Sequence, residues 1–559
     1  MGITNLFGRA RRRAILELDG LRWRRAVAPL RSAARGGAQG RLLICDLMTM
    51  IATAKAEALI AGVMRLDGIA PVVLLHRRDP VIERIYRAAS PDVQFAYFDD
   101  YLRDVPQDEA RREAEQLVAG FKTMESLIGY ERDGVRTGRN ALSTAVRKLR
   151  IGRLDMGNPD HRNHAIEGLA KSIRAARAAQ TAVAGIQPDH ALFNERGYTP
   201  AGEVFDACLL AGVDAIQWFG APSSDSLMYK RYDLTNRGDH PMSISPATWA
   251  ALKSEPWSDE MNDVVIARIA ENYKSGAWYN RQQLQEGKVL LDAAGVRDAL
   301  GLDPLRKTAV IFAHILYDAT FFYGESLYPD YETWLIETVR HAAANPNLNW
   351  IVKVHPVNVW RSKMDGVGME QLEARALKQA FGELPDHIRI MPADTNINTY
   401  ALFGAIDYGL TVRGTIGMEL PCFGIPVVTA GTGRYSGRGV TIDPRSPEEY
   451  AATLARLHKV PRLNDEVVRL ARIHYHAAMT RRPIAMESFV LDFHANTKGL
   501  PELRQNTYVR TRPGSAWKAS ADLGALADWV RSRRGYELLR APVSKGSAGD
   551  RSAHRSGQP

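Results

Sequence analysis

Two segments of this chain carry residue types able to bind a phosphate ester. Residues 350–356 read WIVKVHP, an apolar run that closes on Lys353, His355 and Pro356. Residues 411–419 read TVRGTIGME, a second apolar ending that turns into Arg413, Gly414, Thr415, Gly417 and Glu419. Proline cannot extend a strand ladder, so Pro356 ends the strand and fixes the turn presenting His355. An ammonium and an imidazole at a strand end can hold a phosphate by charge and hydrogen bonding. A Gly-Thr turn that opens a helix offers backbone N–H groups and the helix dipole to the same anion. Glu419, one helical turn after Thr415, shares its face and can accept from ribose hydroxyls. In an open α/β sheet, ligands bind outside the carboxyl ends of the strands. The two segments are therefore read as one nucleotide pocket.

Three further groups are candidates. Residues 431–439 (GTGRYSGRG) follow the apolar run 426–429 and place Arg434 and Arg438 in a Gly-rich loop suited to an anionic ligand. His314 and Asp318 follow an apolar run ending at 313 and either face the same pocket or cap the following turn. A transfer reaction also needs a general base for an acceptor hydroxyl. Asp46, at the end of the run 42–45, and Glu195, just after 190–193, are the candidates, with His355 as a third catalytic group. No Asp-x-Asp pair stands at a strand end, so no metal is called for. Lys353, Arg434, Arg438 and the helix N-terminus can stabilise a leaving phosphate.

These residues need strands to hold them. Apolar runs at 42–45 and 72–75 flank an Ala-rich helical run from 49 to 64, and runs at 190–193 and 214–218 flank a helix over 201–210. Strands alternating with helices imply a parallel sheet with crossover helices. A first α/β domain is expected over 41–235, with a helical insertion at 107–180. A helical connecting region spans 236–305. A second α/β domain spans 306–500, its strands near 308–313, 350–354, 388–390, 406–412 and 426–429. A helical segment at 501–540 and a polar, disordered tail at 541–559 complete the chain.

Composition bounds the function. The 559 residues are 45% hydrophobic and 24% charged, as in ordinary soluble proteins. No apolar run reaches the roughly 18–20 residues a spanning helix needs. The three cysteines, Cys45, Cys208 and Cys422, lie apart in apolar segments and read as buried thiols of a reduced, cytoplasmic protein. The N-terminus fits neither a secretory signal nor a myristoylation site. The net charge of +10 is concentrated in residues 1–40, where Arg9, Arg11, Arg12, Arg13, Arg22, Arg24 and Arg25 interleave with leucines and Trp23. This basic amphipathic helix suits an anionic inner-membrane surface. A solvated arm packed elsewhere is the equal alternative. No zinc spacing or aromatic-studded sheet motif supports nucleic-acid binding.

The run from His314 and Asp318 through Trp334, Lys353-Val354-His355-Pro356 and Gly414-Thr415-Ile416-Gly417-Met418-Glu419 to Gly424-Ile425-Pro426 resembles the bacterial capsule polysaccharide biosynthesis family, which includes Kdo transferases. The resemblance covers about 305–460 and the first domain only in outline. It implies a GT-B fold, α/β with two Rossmann-like domains facing across a cleft, and a metal-independent glycosyltransferase that is cytoplasmic or peripheral at the inner membrane. It implies a nucleotide-sugar donor, plausibly a CMP-activated ulosonic acid, and a glycan or glycolipid acceptor. His355 and Pro356 would contact the cytidylate, Thr415 the phosphate and Glu419 the ribose. The residue seven beyond Glu419 is Pro426, so the paired-glutamate signature of many retaining relatives is missing. The rival expectations are a CDP-polyol phosphotransferase, a nucleotide-sugar 2-epimerase and a non-catalytic export or scaffold protein.

Overall fold

The computed structural model of the protein describes residues 3–121, 123–221, 226–274, 284–359, 371–493, 495 and 499–541, with side chains from residue 8. The tail anticipated over 541–559 falls, from residue 542, outside them. Strands β1 (Gly40–Asp46), β2 (Ile69–Leu75), β3 (Gln94–Tyr97), β4 (His190–Phe193) and β5 (Asp214–Gly220) run parallel. The expected alternation of strand and helix produces this part of the sheet. β6 (Ser226–Tyr232) instead pairs antiparallel with β5. The stretch 221–225 is too brief for a crossover helix, so the chain can only fold straight back.

Strands β7 (Lys307–Phe312), β8 (Leu348–Lys353), β9 (Ile388–Met391), β10 (Tyr408–Thr411) and β11 (Val427–Thr429) form a second, all-parallel sheet in the order β11-β10-β7-β8-β9. The chain fills one side of β7 and then the other, so the strand order reverses at β7. Such a reversal opens a crevice at the carboxyl ends of the strands. The ends of β7, β8 and β10 carry His314, Lys353 and Arg413. The fold is thus α/β with two Rossmann-like sheets.

The chain leaves the second domain earlier than its sequence suggests. After the helix Asp465–His476, β12 (Ile484–Ala485) pairs with β6 and brings the first sheet to seven strands, β12-β6-β5-β4-β1-β2-β3. The antiparallel pair β13 (Phe489–Asp492) and β14 (Asn506–Val509) and the helix Leu523–Ser532 follow, packed in the first domain's core. This explains the Ala-rich helix Ile51–Leu66. It is buried on nearly all sides, between the sheet and these returning elements, where small side chains permit close approach. The expected boundary at 500 misses this because β12 is two residues long and leaves no readable pattern.

The N-terminal helix α1 (Ile3–Ala26) packs in this core, in keeping with the reading of residues 1–40 as a helix that packs elsewhere in the chain with a solvated basic face. Ile15 and Trp23 are buried, as are Val27 and Leu30 just after it. The Trp23 indole donates to Ile85 O at 2.9 Å, and Asp19 pairs with the buried Lys55 at 2.8 Å. Its arginines occupy the outward face. The insertion, helices Gln107–Gly120, Met124–Ile128, Thr137–Leu149 and Pro159–Ile186, forms its own core and admits Phe321 from the second domain. It thereby grips the loop between β7 and the helix Tyr331–Ala343, whose N-terminus Asp330 caps through Thr333 N at 2.6 Å. All three cysteines are buried, as expected, and burial raises their thiols far above the usual range.

One segment between the domains is held by buried charged side chains on several sides. The carbonyls of Pro241 and Ser243 accept from Arg482, which also bonds Tyr229 O. Arg237 O and Asp239 O accept from Arg196. Glu537, from the chain's end, pairs with Lys230 at 3.1 Å and accepts from Ser245 N, Ser245 Oγ and Thr248 Oγ1. Lys230 and Arg482 are both fully buried. Replacing Glu537 by Ala leaves these cations short of counter-charge, which is expected to cost about 3–5 kcal/mol in urea denaturation. Glu487→Ala, which removes a half-exposed partner 3.7 Å from Arg512, should change stability by less than about 1 kcal/mol. Equal effects would show that burial of the Glu537 cluster is unimportant.

Candidate functional site

A cavity of about 400 Å3 lies at the carboxyl ends of the second sheet. Lys353, His355 and Pro356 line it from the β8 end, His314 and Asp318 from the β7 end, and Arg413, Gly414 and Thr415 from the β10 end. Arg434 reaches in from the Gly-rich loop. Residues read from separate segments of sequence therefore converge on one space.

The charges inside are nearly all positive. Arg413 is 4% exposed and Arg434 8%. Arg413 Nη2 donates to Ser326 Oγ and Glu325 O, but its Nε and Nη1 are buried without a hydrogen-bond partner. Arg434 Nε is likewise orphaned. Buried donors of this kind are rare and costly in a finished structure. Lys353 is buried and has no ion-pair partner among the described residues. Burial, and secondarily Lys288, lowers its pKa to about 7.

His314 is held as a neutral ring. Its Nε2 faces Val412 N at 3.2 Å, Arg413 N at 3.3 Å and Thr411 Oγ1 at 3.1 Å. Accepting from these amides requires a lone pair on Nε2, so the proton sits on Nδ1. Burial, then Arg413, His355 and Arg434, keeps its pKa well below the usual value. The ring stacks on Tyr331 with centroids 4.3 Å apart. His355 accepts Val357 N through Nδ1 at 3.2 Å, the turn that Pro356 was expected to impose.

Glu195 stands on the first-domain side. Its carboxylate accepts from Arg196 N at 2.9 Å and Gly197 N at 3.2 Å, and Arg147 and Asp318 act on it by charge. Burial raises its pKa, which suits a group that must take up a proton. Tyr198, three residues on, donates to Asp318 at 2.9 Å and ties the two walls together.

Five expected site residues do not line the cavity, Glu195 and four others. Asp46 is 3% exposed and does not line the cavity. It accepts from Thr49 N and the Tyr86 hydroxyl, and Tyr86 also bonds Glu57. Burial raises its pKa to about 6. It is a member of a closed polar cluster in the first domain's core. Arg438 turns away to Ile244 O and the Trp249 ring. Gly417 packs against Tyr435, whose ring a Cβ would strike. Glu419, 1% exposed, lies one layer behind the cavity and accepts the Tyr273 hydroxyl, which does line it. The helix expected to point its dipole at a phosphate is a single turn, Ile416–Glu419, followed by a 3-10 turn. Side chains rather than a helix dipole supply the positive charge. His240 and Tyr273, from the connecting region, and Tyr323 are cavity residues that sequence reading did not find. None sits in a periodic or motif-like context, so no signal marked them.

Among the described residues, no group of three or more His, Cys, Asp or Glu is disposed to hold a metal. No described helix is long and apolar enough to cross a membrane.

Known structures with some likeness to this chain are sugar-processing proteins. A β-Kdo 2,4-transferase (KpsC) of Thermosulfurimonas dismutans is 15% identical, with a TM-score of 0.32, covering 53% of this chain and 81% of its own. A UDP-GlcNAc 2-epimerase of Neisseria meningitidis bound to UDP-GlcNAc is 8% identical, with a TM-score of 0.27, covering 79% and 97%. Anabaena HepE in complex with UDP-glucose is 12% identical, with a TM-score of 0.26, covering 79% and 94%. A scan against protein-family models found no match, and a search of curated proteins found none. Likenesses this weak carry no functional argument, so the function must be read from the site.

Glu419 offers a direct check on burial at the site. Burial raises its carboxyl from 4.5 to about 7, against the lowering effect of Tyr273 and Thr415. The folded state therefore holds this proton more tightly than the unfolded chain, and stability falls as pH rises from about 4.5 to 7. Glu419→Gln, always neutral, is expected to be ~1–3 kcal/mol more stable than wild type at pH 8 and to converge with it near pH 4. Chemical denaturation at both pH values reads this out. A variant destabilised at pH 8 would mean that the carboxylate is paired in the fold.

Proposed function

We propose that the protein is a glycosyltransferase that takes a nucleotide sugar in the cavity of the second domain and transfers the sugar to a glycan or glycolipid acceptor on the first-domain side. The observation that carries this reading is the set of buried guanidinium nitrogens of Arg413 and Arg434, without a hydrogen-bond partner among the described residues, beside Lys353, which has no ion-pair partner among them. Three cations sharing a crevice at a strand-order reversal suit the phosphate of a nucleotide. The transfer has the acceptor oxygen attack the anomeric carbon as the sugar–phosphate bond breaks. The electron pair leaves with the nucleotide phosphate, held by Arg413, Arg434 and Lys353, and the acceptor's proton passes to Glu195. His355 and Pro356 hold the nucleoside end. The donor, on the family resemblance of residues 305–460, is a CMP-activated ulosonic acid, and the setting is capsule or surface-polysaccharide assembly.

A thermal-shift series with CMP, CDP, UDP and GDP tests the nucleotide reading. A cytidine nucleotide at about 100 times its Kd stabilises the native state by about 2.7 kcal/mol. This gain should vanish in Arg413→Ala and His355→Ala. No shift with any nucleotide would sink the proposal. Glu195→Gln should lower transfer by roughly 100-fold or more while leaving nucleotide binding intact. Sugar epimerised without an acceptor would favour the 2-epimerase instead.

The outward face of α1 fits an anionic lipid surface, in keeping with a lipid-linked acceptor. Leu18 and Leu21 are 40% and 53% exposed on one helical face with Arg11, Arg22 and Arg25, and Tyr508, 46% exposed, lies beside Leu18. Because α1 belongs to the core, deleting it would disrupt the fold, so the test uses Leu18→Ser with Leu21→Ser. The pair should weaken co-sedimentation with vesicles containing phosphatidylglycerol several-fold. Undiminished sedimentation would refute the membrane role.

A further inference from the structure

His240 poses a hydrogen-bonding conflict that the protein alone does not resolve. It belongs to the connecting segment, lines the cavity, and lies against Tyr323 with centroids 4.7 Å apart. Its Nδ1 accepts Met242 N–H at 3.0 Å. Its Nε2 lies 2.9 Å from Arg434 Nη2. A neutral imidazole has one donor nitrogen and one acceptor nitrogen, and arginine can only donate. Both ring nitrogens therefore meet N–H groups, and either tautomer sets one donor against another. Protonating the ring makes both contacts worse. Burial and the surrounding Arg434, Arg196, Arg413 and Arg482 oppose it as well. The neighbouring carboxylate, Asp239, is engaged with Lys230 at 3.2 Å.

The same place is short of acceptors in another respect. The orphaned nitrogens of Arg413 and Arg434 belong to side chains that line the same cavity as His240, and both guanidinium charges act on its ring. One acceptor group placed among these side chains satisfies every unmet donor. Its oxygens take N–H bonds from the two guanidinium groups, and Nε2–H of His240 becomes a donor to it while Nδ1 keeps Met242.

We infer that His240 is an oxyanion-binding residue, acting with Arg413 and Arg434 on a phosphate group, and that the bound anion bridges the two domains. His240 is fixed to the first domain through the segment that Arg482, Arg196 and Glu537 hold. Arg413 and Arg434 belong to the second sheet's loops. The phosphate thus closes a contact between units that otherwise meet here donor to donor. This rests on the nucleotide-sugar reading only for what is attached to the phosphate.

The test is isothermal titration of the full-length protein with inorganic phosphate and pyrophosphate. A hydrogen bond to a charged group is worth about 1.5–3 kcal/mol, so His240→Ala should weaken phosphate binding roughly 10- to 100-fold. The amide of Gln reaches the position of Nε2, whereas that of Asn reaches only Nδ1. His240→Gln should therefore bind within a few-fold of wild type and His240→Asn as weakly as Ala. Melting temperatures of the three variants show whether they fold. A purely structural role would not separate Gln from Asn. Wild-type protein that binds neither anion at millimolar concentration, or variants that all bind as wild type does, would overturn the inference. His240-dependent phosphate binding without nucleotide-sugar binding would leave it standing and remove the transferase reading. Nucleotide-sugar binding indifferent to His240 would do the reverse.

Discussion

The rest of the structure depends on a small buried cluster, Glu537 with Lys230 and Arg482, that pins the segment 237–248 between the domains. Each partner comes from a distant part of the chain: Lys230 from β6, Arg482 from the exit of the second domain, and Glu537 from near the last described residue. A buried cation must find acceptors, and here these are carbonyls, most of them in that segment, and the carboxylates of Glu537 and Asp239. The segment cannot shift without leaving one of them unsatisfied. Its position carries His240 to the cavity, receives Arg434 and Arg438 from the Gly-rich loop, and sets where the domains meet.

On the cavity wall the shortage of acceptors is greater. At the pinned segment Arg482 finds three carbonyls through Nη1 and Nη2 and leaves its Nε unmatched among the described residues, whereas on the cavity wall Arg413 leaves Nε and Nη1 unmatched, Arg434 leaves Nε, and both ring nitrogens of His240 face donors. A site built from donors, with its counter-charge supplied by a ligand, has this form. On the first-domain side, outside the cavity lining, Glu195 is held by two backbone amides, and Asp318 and Arg147 act on its carboxylate by charge.

Strand ends were readable because two physical rules make them so. A buried parallel strand must be continuously apolar, and its carboxyl end must turn through polar or Gly and Pro residues. The runs closing on Lys353-Val354-His355-Pro356 and on Arg413-Gly414-Thr415 obey both, and the structure brings them into one cavity. The same rules place Asp46 at a strand end, but they do not say how deep that end lies. Tyr86 and Glu57, from two different helices, enclose Asp46 and remove it from the cleft. Glu419 was correctly placed on a helical turn, but Tyr273, 146 positions earlier, stands between it and the cavity. Arg438 follows the same logic, since Ile244 O claims it from the connecting segment.

The sequence by itself determined the two α/β units, the insertion, the buried thiols and the strand-end segments that carry Lys353, His355, Arg413 and Arg434. Those features follow from local apolar patterning and from what Gly and Pro do to a backbone, and neither depends on a distant partner. Only the tertiary structure decided that the C-terminal elements return to the first sheet, that α1 is part of its core, and which charged residues face the cavity. These are pairing decisions between residues hundreds of positions apart, governed by the need of every buried donor and charge to find a partner. His240 is the clearest case, because nothing near it in sequence marks it, and its meaning comes from Arg434 lying opposite.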